Sequence, residues 1–265
     1  MPLPPELNYL QPRLYPDLVR LGSFCDGGYL VPRSALSELD AVLSFGVSVD
    51  WNFERQLRSS RPDLDIHCYD HTVGPSLFAK FASKGILDLL RGHGSIKGVA
   101  ARFRVWRDYA RFFRGRTVHF RERVFNRRFN ANDATIDAIF ARVQGRRHVL
   151  VKVDIEGGEY RVIPDLLRYA DRIDILVIEF HDTDPLRLVF QHQVGLLLQH
   201  FGIAHLHGNN YLGRAADGLP DAVELTFVNQ RLGVPVDRRD RLPIPDLDSP
   251  CNPASAEVEL QFAAS

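Results

Sequence analysis

The chain has 265 residues, enough for one large α/β domain or two small ones with a sizeable core. Lys and Arg balance Asp and Glu at 33 each, so no global field draws it to nucleic acid or membrane, although a local patch still can. Three scattered cysteines, Cys25, Cys68 and Cys251, form no CxxC and suit a reducing compartment rather than a disulfide framework.

The N-terminal stretch "MPLPPELNYLQPRLYPDL" is broken by proline and carries acids, unlike a signal peptide. No apolar run approaches the roughly 20 residues of a membrane span. The expected location is the cytoplasm. Residues 1–40 are expected to form an arm packing on the core, 41–230 the main domain, and 231–265 a Pro-rich arm whose "AEVELQF" (256–262) alternates like a strand.

Within the main domain, short apolar runs alternate with helix-like segments, which predicts βα units and a largely parallel sheet. Strands are expected at 41–47, 65–70, 117–125, 148–155, 174–180, 203–209 and 222–228. Helices are expected at 50–60, 133–143, 159–170 and 187–201, with Pro164 either kinking the third or marking its first turn. The last two strands are too close for a crossover helix, so they should pair as an antiparallel hairpin at the sheet edge. Six parallel-type strands plus one reversed strand is the layout of class I methyltransferases; any other doubly wound sheet is the alternative.

Ligands of such sheets bind at the carboxyl ends of the strands. The first strand ends in "SFGVSVDWNFE", where Gly46 permits a tight turn and close approach of a ligand. The G-x-G-x-x-G dinucleotide pattern is missing, which argues against NAD or FAD. Asp70 ends the second strand, 24 positions after Gly46, at a place suited to the ribose hydroxyls of an adenosine-type cofactor. An ordinary acidic cap is the plainer reading.

The fourth strand, "VLVKVDIEGGEYRV", puts Leu150, Lys152 and Asp154 on one face and delivers Asp154, Glu156 and Glu159 around a double glycine. Such crowding suits a general base, a metal or a cationic ligand, with Lys152 offsetting part of the charge. Glu159 fits a helix cap. The fifth strand ends in Glu179 and His181, the sixth in His205, His207, Asn209 and Asn210, so several tips converge on titratable groups.

Together "VKVDIEGGEYRVI", "DGGYLV" (26–31), "LSFGVSVDWNFE", "YDHT" (69–72), "VIEFHD" and "HGNNY" with "LPDAVELTF" resemble FkbM-type methyltransferases of the class I fold. The resemblance implies S-adenosyl-L-methionine as cofactor and O-methylation of a sugar, glycoconjugate or polyketide hydroxyl. It assigns cofactor contacts to Ser44, Phe45, Gly46, Val47, Asp70, His71, Thr72 and Asp154. The acid usual two residues before the first-loop glycine is replaced by Ser44, and Asp26 or Glu54 is the substitute. Catalytic groups are sought among Asp154, Glu156, Glu179, His181 and His207, with His181 or Asp154 as the base. A divalent ion held by Asp154 and Glu179 is the less favoured variant.

Between the second and third strands, 97–128 holds eleven Lys or Arg residues against Asp108 and Glu122. Arg104, Arg107, Arg111 and Arg114 recur at helical spacing, with Trp106, Tyr109 and Phe113 on another face. This basic insertion, about 78–116, is either a solvated face or a contact for an anionic acceptor or the inner face of a membrane. Nucleic acid is disfavoured, since no binding module is present. Two rival functions stand: a metal-dependent hydrolase using the Asp/Glu/His cluster, and a noncatalytic binding module keeping the fold.

Overall fold

Seven of the apolar runs hydrogen-bond into one sheet in the computed structural model, which describes residues 2–91, 93 and 95–262. A hairpin of β1 (Leu18–Gly22) and β2 (Gly28–Pro32) precedes it. The succession is then β3 (Ala41–Phe45), α1 (Asn52–Ser60), β4 (Asp65–Tyr69), α2 (Pro75–Leu90), α3 (Ile96–Phe112) and β5 (Thr117–Phe120). Next come the short β6 (Arg123–Val124) and β7 (Asp133–Ala134), α4 (Ile136–Arg142), β8 (Val149–Val153), α5 (Glu159–Leu167) and β9 (Ile173–Phe180). The chain closes with α6 (Arg187–Leu197), β10 (Phe201–Gly208), β11 (Val223–Asn229), β12 (Arg241–Leu242) and β13 (Leu260–Gln261).

The sheet order is β10-β11-β9-β8-β3-β4-β5. All pairings among β9, β8, β3, β4 and β5 are parallel, while β11 runs antiparallel to both β9 and β10. The expected layout of six strands in one direction and one reversed is therefore present. The last hairpin lies at the sheet edge as expected, with the reversed strand inserted between β9 and β10 and β10 outermost. The hairpin connection is short enough for pairing, but helix α6 carries β10 past an empty lane that β11 then fills.

Burial follows the sequence pattern. All five residues of β8 and all eight of β9 are buried, as expected for strands covered on both faces. The strand expected over 117–125 ends at Phe120, because Glu122 turns to a bidentate pair with Arg142 (2.6 and 2.9 Å) and Arg123 pairs with buried Asp133. The helix expected from 133 begins at Ile136, since Thr135 caps it by accepting the Ala138 N–H and the preceding pair forms β7. The helix expected to 201 ends at Leu197, and Phe201 already pairs with Asn229. Pro164 sits inside α5, beyond its first turn.

The first and last described segments meet. Leu3 N–H donates to the Gln261 carbonyl at 2.6 Å, and β12 pairs with β13. The C-terminal segment is held against β10 by His205 to Asp248 (3.1 Å) and His207 to Glu257 (3.2 Å). Cys68 and Cys251 are buried, and Cys25 lies partly exposed in the β1–β2 turn.

Candidate active site

The carboxyl ends of β3, β4 and β8 open on one cleft of about 550 Å³, lined among others by Gly46, Asp70, His71, Thr72, Asp154 and Glu156. Gly46 has φ +77°, and a Cβ there would lie 1.6 Å from the Asp154 carbonyl oxygen. Only glycine lets the β3 turn pass so close under the β8 turn. Asp70 gathers the adjoining loops: its Oδ2 accepts the Val47 and Ser48 N–H groups (3.2 and 2.8 Å), and its Oδ1 accepts the Thr72 N–H and hydroxyl (2.8 and 2.6 Å). Burial works to raise its pKa, but the Thr72 and Ser48 hydrogen bonds outweigh it and hold the carboxyl below the usual range.

Strand alternation brings Lys152 and Asp154 to the same face of β8. Lys152 Nζ reaches Asp154 Oδ2 at 3.4 Å and the Gly46 carbonyl at 3.1 Å, and the Tyr29 hydroxyl of β2 donates to the same Asp154 oxygen at 3.3 Å. The buried ammonium loses hydration, yet the surrounding Asp154, Glu54 and Glu179 charges raise its pKa. The chain then turns through Glu156 at φ +53° and Gly157 at φ +86°. A left-handed conformation is uncommon outside glycine, and here it turns Glu156 out into solvent at 86% side-chain exposure.

Glu159 anchors that turn from below. Fully buried, its Oε1 accepts the Ile155 and Gly157 N–H groups and His181 Nδ1, each at 3.1 Å. The opposite ring nitrogen of His181 faces Glu156 (3.6 Å) and Glu179 (3.9 Å). Burial opposes a charged imidazole, but the Glu159 hydrogen bond and the nearby Glu179, Glu159 and Asp154 carboxylates raise its pKa. Glu179 is likewise raised, by burial first and then by Asp154 and Glu224. Asn209 Nδ2 donates to it at 2.7 Å.

The other expected residues fall in three places. Ser44 and Phe45 are buried in the sheet beneath the loop, and Val47 contributes its N–H to Asp70. Glu54 is buried on α1 and accepts the Ser44 hydroxyl, so the substitute carboxylate meets the serine directly. Burial raises its pKa first, with Lys152 and Ser44 opposing. Asp26 stands at the exposed β1–β2 turn, its pKa raised by desolvation and by Glu224 and Asp154. His181 and Glu179 stand behind the wall residues Asp154, Glu156 and Asp182 rather than in the cleft lining itself, and His207 is farther off, closed between Glu224 (2.9 Å) and Glu257 (3.2 Å) beside Cys251. Residues not singled out from sequence complete the wall: Glu122, Val124 and Phe125 after β5, Arg161 on α5, and Asp182. Arg161 lies 5.2 Å over the Phe125 ring, a stacked pair that no linear spacing announces. Glu122, Val124 and Phe125 lie in the "RERVF" run at the end of the span expected as strand, 117–125, of which Arg123 and Val124 form the short β6.

The donor set has a clear character. Carboxylates outnumber cations on the wall, while Val124, Phe125 and Ile155 give it an apolar strip. This fits a ligand with an apolar ring, a ribose and a positive centre. Asp154, Glu156 and His181 also offer three ligand atoms within 4.8 Å of one another, a set able to take a divalent ion. Lys152 already neutralises Asp154 there, which weakens the need for one.

Residues 100–202, from within α3 to the start of β10, match the family model described as the methyltransferase FkbM domain. Among solved structures, precorrin-6y C5,15-methyltransferase from Geobacter metallireducens GS-15 is similar at 12% identity, covering 74% of this chain and 83% of that one, with a TM-score of 0.34. A search of curated protein sequences finds no significant match.

Proposed function

We propose that this chain, whose residues 100–202 match the methyltransferase FkbM domain, is a methyltransferase that moves a methyl group from S-adenosyl-L-methionine to a hydroxyl of a sugar or glycoconjugate. One observation carries the cofactor reading: the tips of three adjacent strands, through Gly46, Asp70 and Asp154, meet around a single acid-walled cleft. The cofactor, when bound, supplies an electrophilic methyl on a cationic sulfur. Gly46 and the Asp70-held loop would border its amino-acid and ribose parts, and Val124, Phe125 and Ile155 its base. The excess of carboxylates favours a cation by simple Coulomb attraction.

Transfer to a hydroxyl releases one proton, and the chain must take it. His181 and Asp154 stand at the tips of neighbouring strands for that role. With its pKa raised, His181 is charged near neutrality in the free protein, and a cation entering the cleft would lower that pKa and free the ring to accept a proton. Fixing acceptor and donor in line supplies the rest of the acceleration. The sugar acceptor is supported by the resemblance to FkbM-type enzymes rather than by any single wall residue.

Titration calorimetry with S-adenosylhomocysteine is the direct test, with binding in the micromolar range expected. No heat at millimolar ligand ends this reading. Binding without transfer of labelled methyl to any glycan or lipid-linked saccharide would instead favour a noncatalytic module.

A further inference from the structure

We propose that the hairpin of α2 and α3 docks the protein on an anionic lipid surface. The hairpin leaves β4 just past the cleft, since Pro75 follows the cleft residue Thr72 by three positions. Its base is tied to the body by aromatic packing of Trp51 with Phe78, Tyr109 and Phe113, and by the Arg55–Asp108 ion pair. Beyond that base it is thinly covered: Trp106, Tyr109 and Phe112 are half-buried against the core, but none of the 17 residues of α3 is fully buried.

Two kinds of side chain cover the exposed part. Ile86, Leu87, Ile96 and Phe103 are exposed, Ile96 at 75%. Along the two helices Lys80, Lys84, Lys97, Arg104, Arg107 and Arg111 are exposed and, among the described residues, enter no ion pair. The hairpin's two acids are already engaged, Asp88 with Arg102 and Asp108 with Arg55. A chain with no net charge thus concentrates unpaired cations on one element.

Charge alone would suit any polyanion. The aliphatic residues beside the turn decide for lipid, because Ile and Leu gain from hydrocarbon and nothing from a sugar–phosphate backbone. Long cationic side chains flanking an apolar strip can spread to the headgroups while the strip enters the boundary. Docking there would present the cleft rim to a membrane-borne acceptor, yet the surface stands whether or not the methyl-transfer reading holds.

Flotation with vesicles tests the proposal. The full chain is expected to float with vesicles of phosphatidylcholine and phosphatidylglycerol in equal parts, to leave them in high salt, and to ignore phosphatidylcholine alone. Arg104→Gln, Arg107→Gln and Arg111→Gln combined should weaken partitioning about a hundredfold. Ile86→Ser, Leu87→Ser and Ile96→Ser combined should weaken it at low salt as well. Both variants should keep the circular dichroism spectrum and melting temperature of the parent, which separates docking from folding. No flotation of the parent, equal flotation on both vesicle types, or unchanged flotation of either variant overturns the proposal. Binding of a homopolymeric RNA that survives the serine variant while flotation is absent would assign the cations to nucleic acid instead.

Discussion

Glu159 and His181 are joined at 3.1 Å, and the same carboxylate oxygen holds the backbone of the β8–α5 turn. One buried group therefore sets both the path of the acidic turn and the orientation of the imidazole at the tip of β9. Glu159→Gln should lower kcat roughly tenfold with a smaller change in KM. Because the raised His181 pKa owes part of its shift to Glu159, the alkaline-rising limb of the rate profile should move down toward the ordinary histidine value near 6.5. A rate profile that keeps its position would remove Glu159 from any positioning role.

Asp70 accepts four hydrogen bonds, two from the Val47 and Ser48 N–H groups of the first loop and two from the N–H and hydroxyl of Thr72 in its own loop. Asp70→Ala is expected to weaken S-adenosylhomocysteine binding at least tenfold, about 1.4 kcal/mol, by loosening the 47–48 backbone as well as removing the proposed ribose partner. Calorimetry reads this, and unchanged affinity would take Asp70 out of the cofactor site.

Gly46→Ala places a methyl 1.6 Å from a backbone oxygen at φ +77°. A destabilisation of about 3 kcal/mol is expected in urea unfolding. Gly145→Ala provides the comparison, with φ +86° but nothing within 4 Å of the added atom. That variant should lose only about 1 kcal/mol.

His207 lies buried between Glu224 and Glu257, and although burial opposes its charge, Cys251 and the two carboxylates raise its pKa far above the ordinary value. A raised folded-state pKa stabilises fully below the unfolded value near 6.5 and is progressively lost as pH climbs from there. His207→Gln should cost about 3–5 kcal/mol near pH 6, by leaving both carboxylates without their cation. The deficit should shrink toward pH 9. Denaturant midpoints at both pH values check this, and a constant deficit would mean the imidazole is neutral in the folded protein.

Treatment with EDTA should leave methyl transfer unchanged, because Lys152 at 3.4 Å already serves as the positive partner of Asp154. Loss of activity restored by magnesium would assign an ion to the Asp154, Glu156 and His181 set.

The sheet was legible because its strands carry period-2 and fully apolar runs that few other structures tolerate: β8 and β9 are readable from "VLVKV" and "ILVIEF" alone. The place of β11 was not, since a short loop announces pairing with β10 but says nothing of which side stays free. Gly46 and Asp154 were legible as turn and tip residues, and the structure places them in contact. The Ser44–Glu54 bond joins a strand and a helix ten residues apart, and Asp26 or Glu54 could not be chosen without the fold. The His207 pocket eluded the sequence for a similar reason. Strand alternation predicts its face, but Glu257 and Cys251 arrive from a distant Pro-rich segment.

The three thiols differ sharply in what surrounds them. Burial pushes Cys68 well up and Cys251 up to about 12, whereas Cys25 stands partly open in the hairpin turn beside Asp26. A maleimide dye should accordingly attach at one position in the native chain, without any engineering. The label would sit on the β1–β2 hairpin, whose Tyr29 donates to Asp154 at 3.3 Å, so a change in its fluorescence on adding a ligand would give an optical readout for screening unknown acceptors.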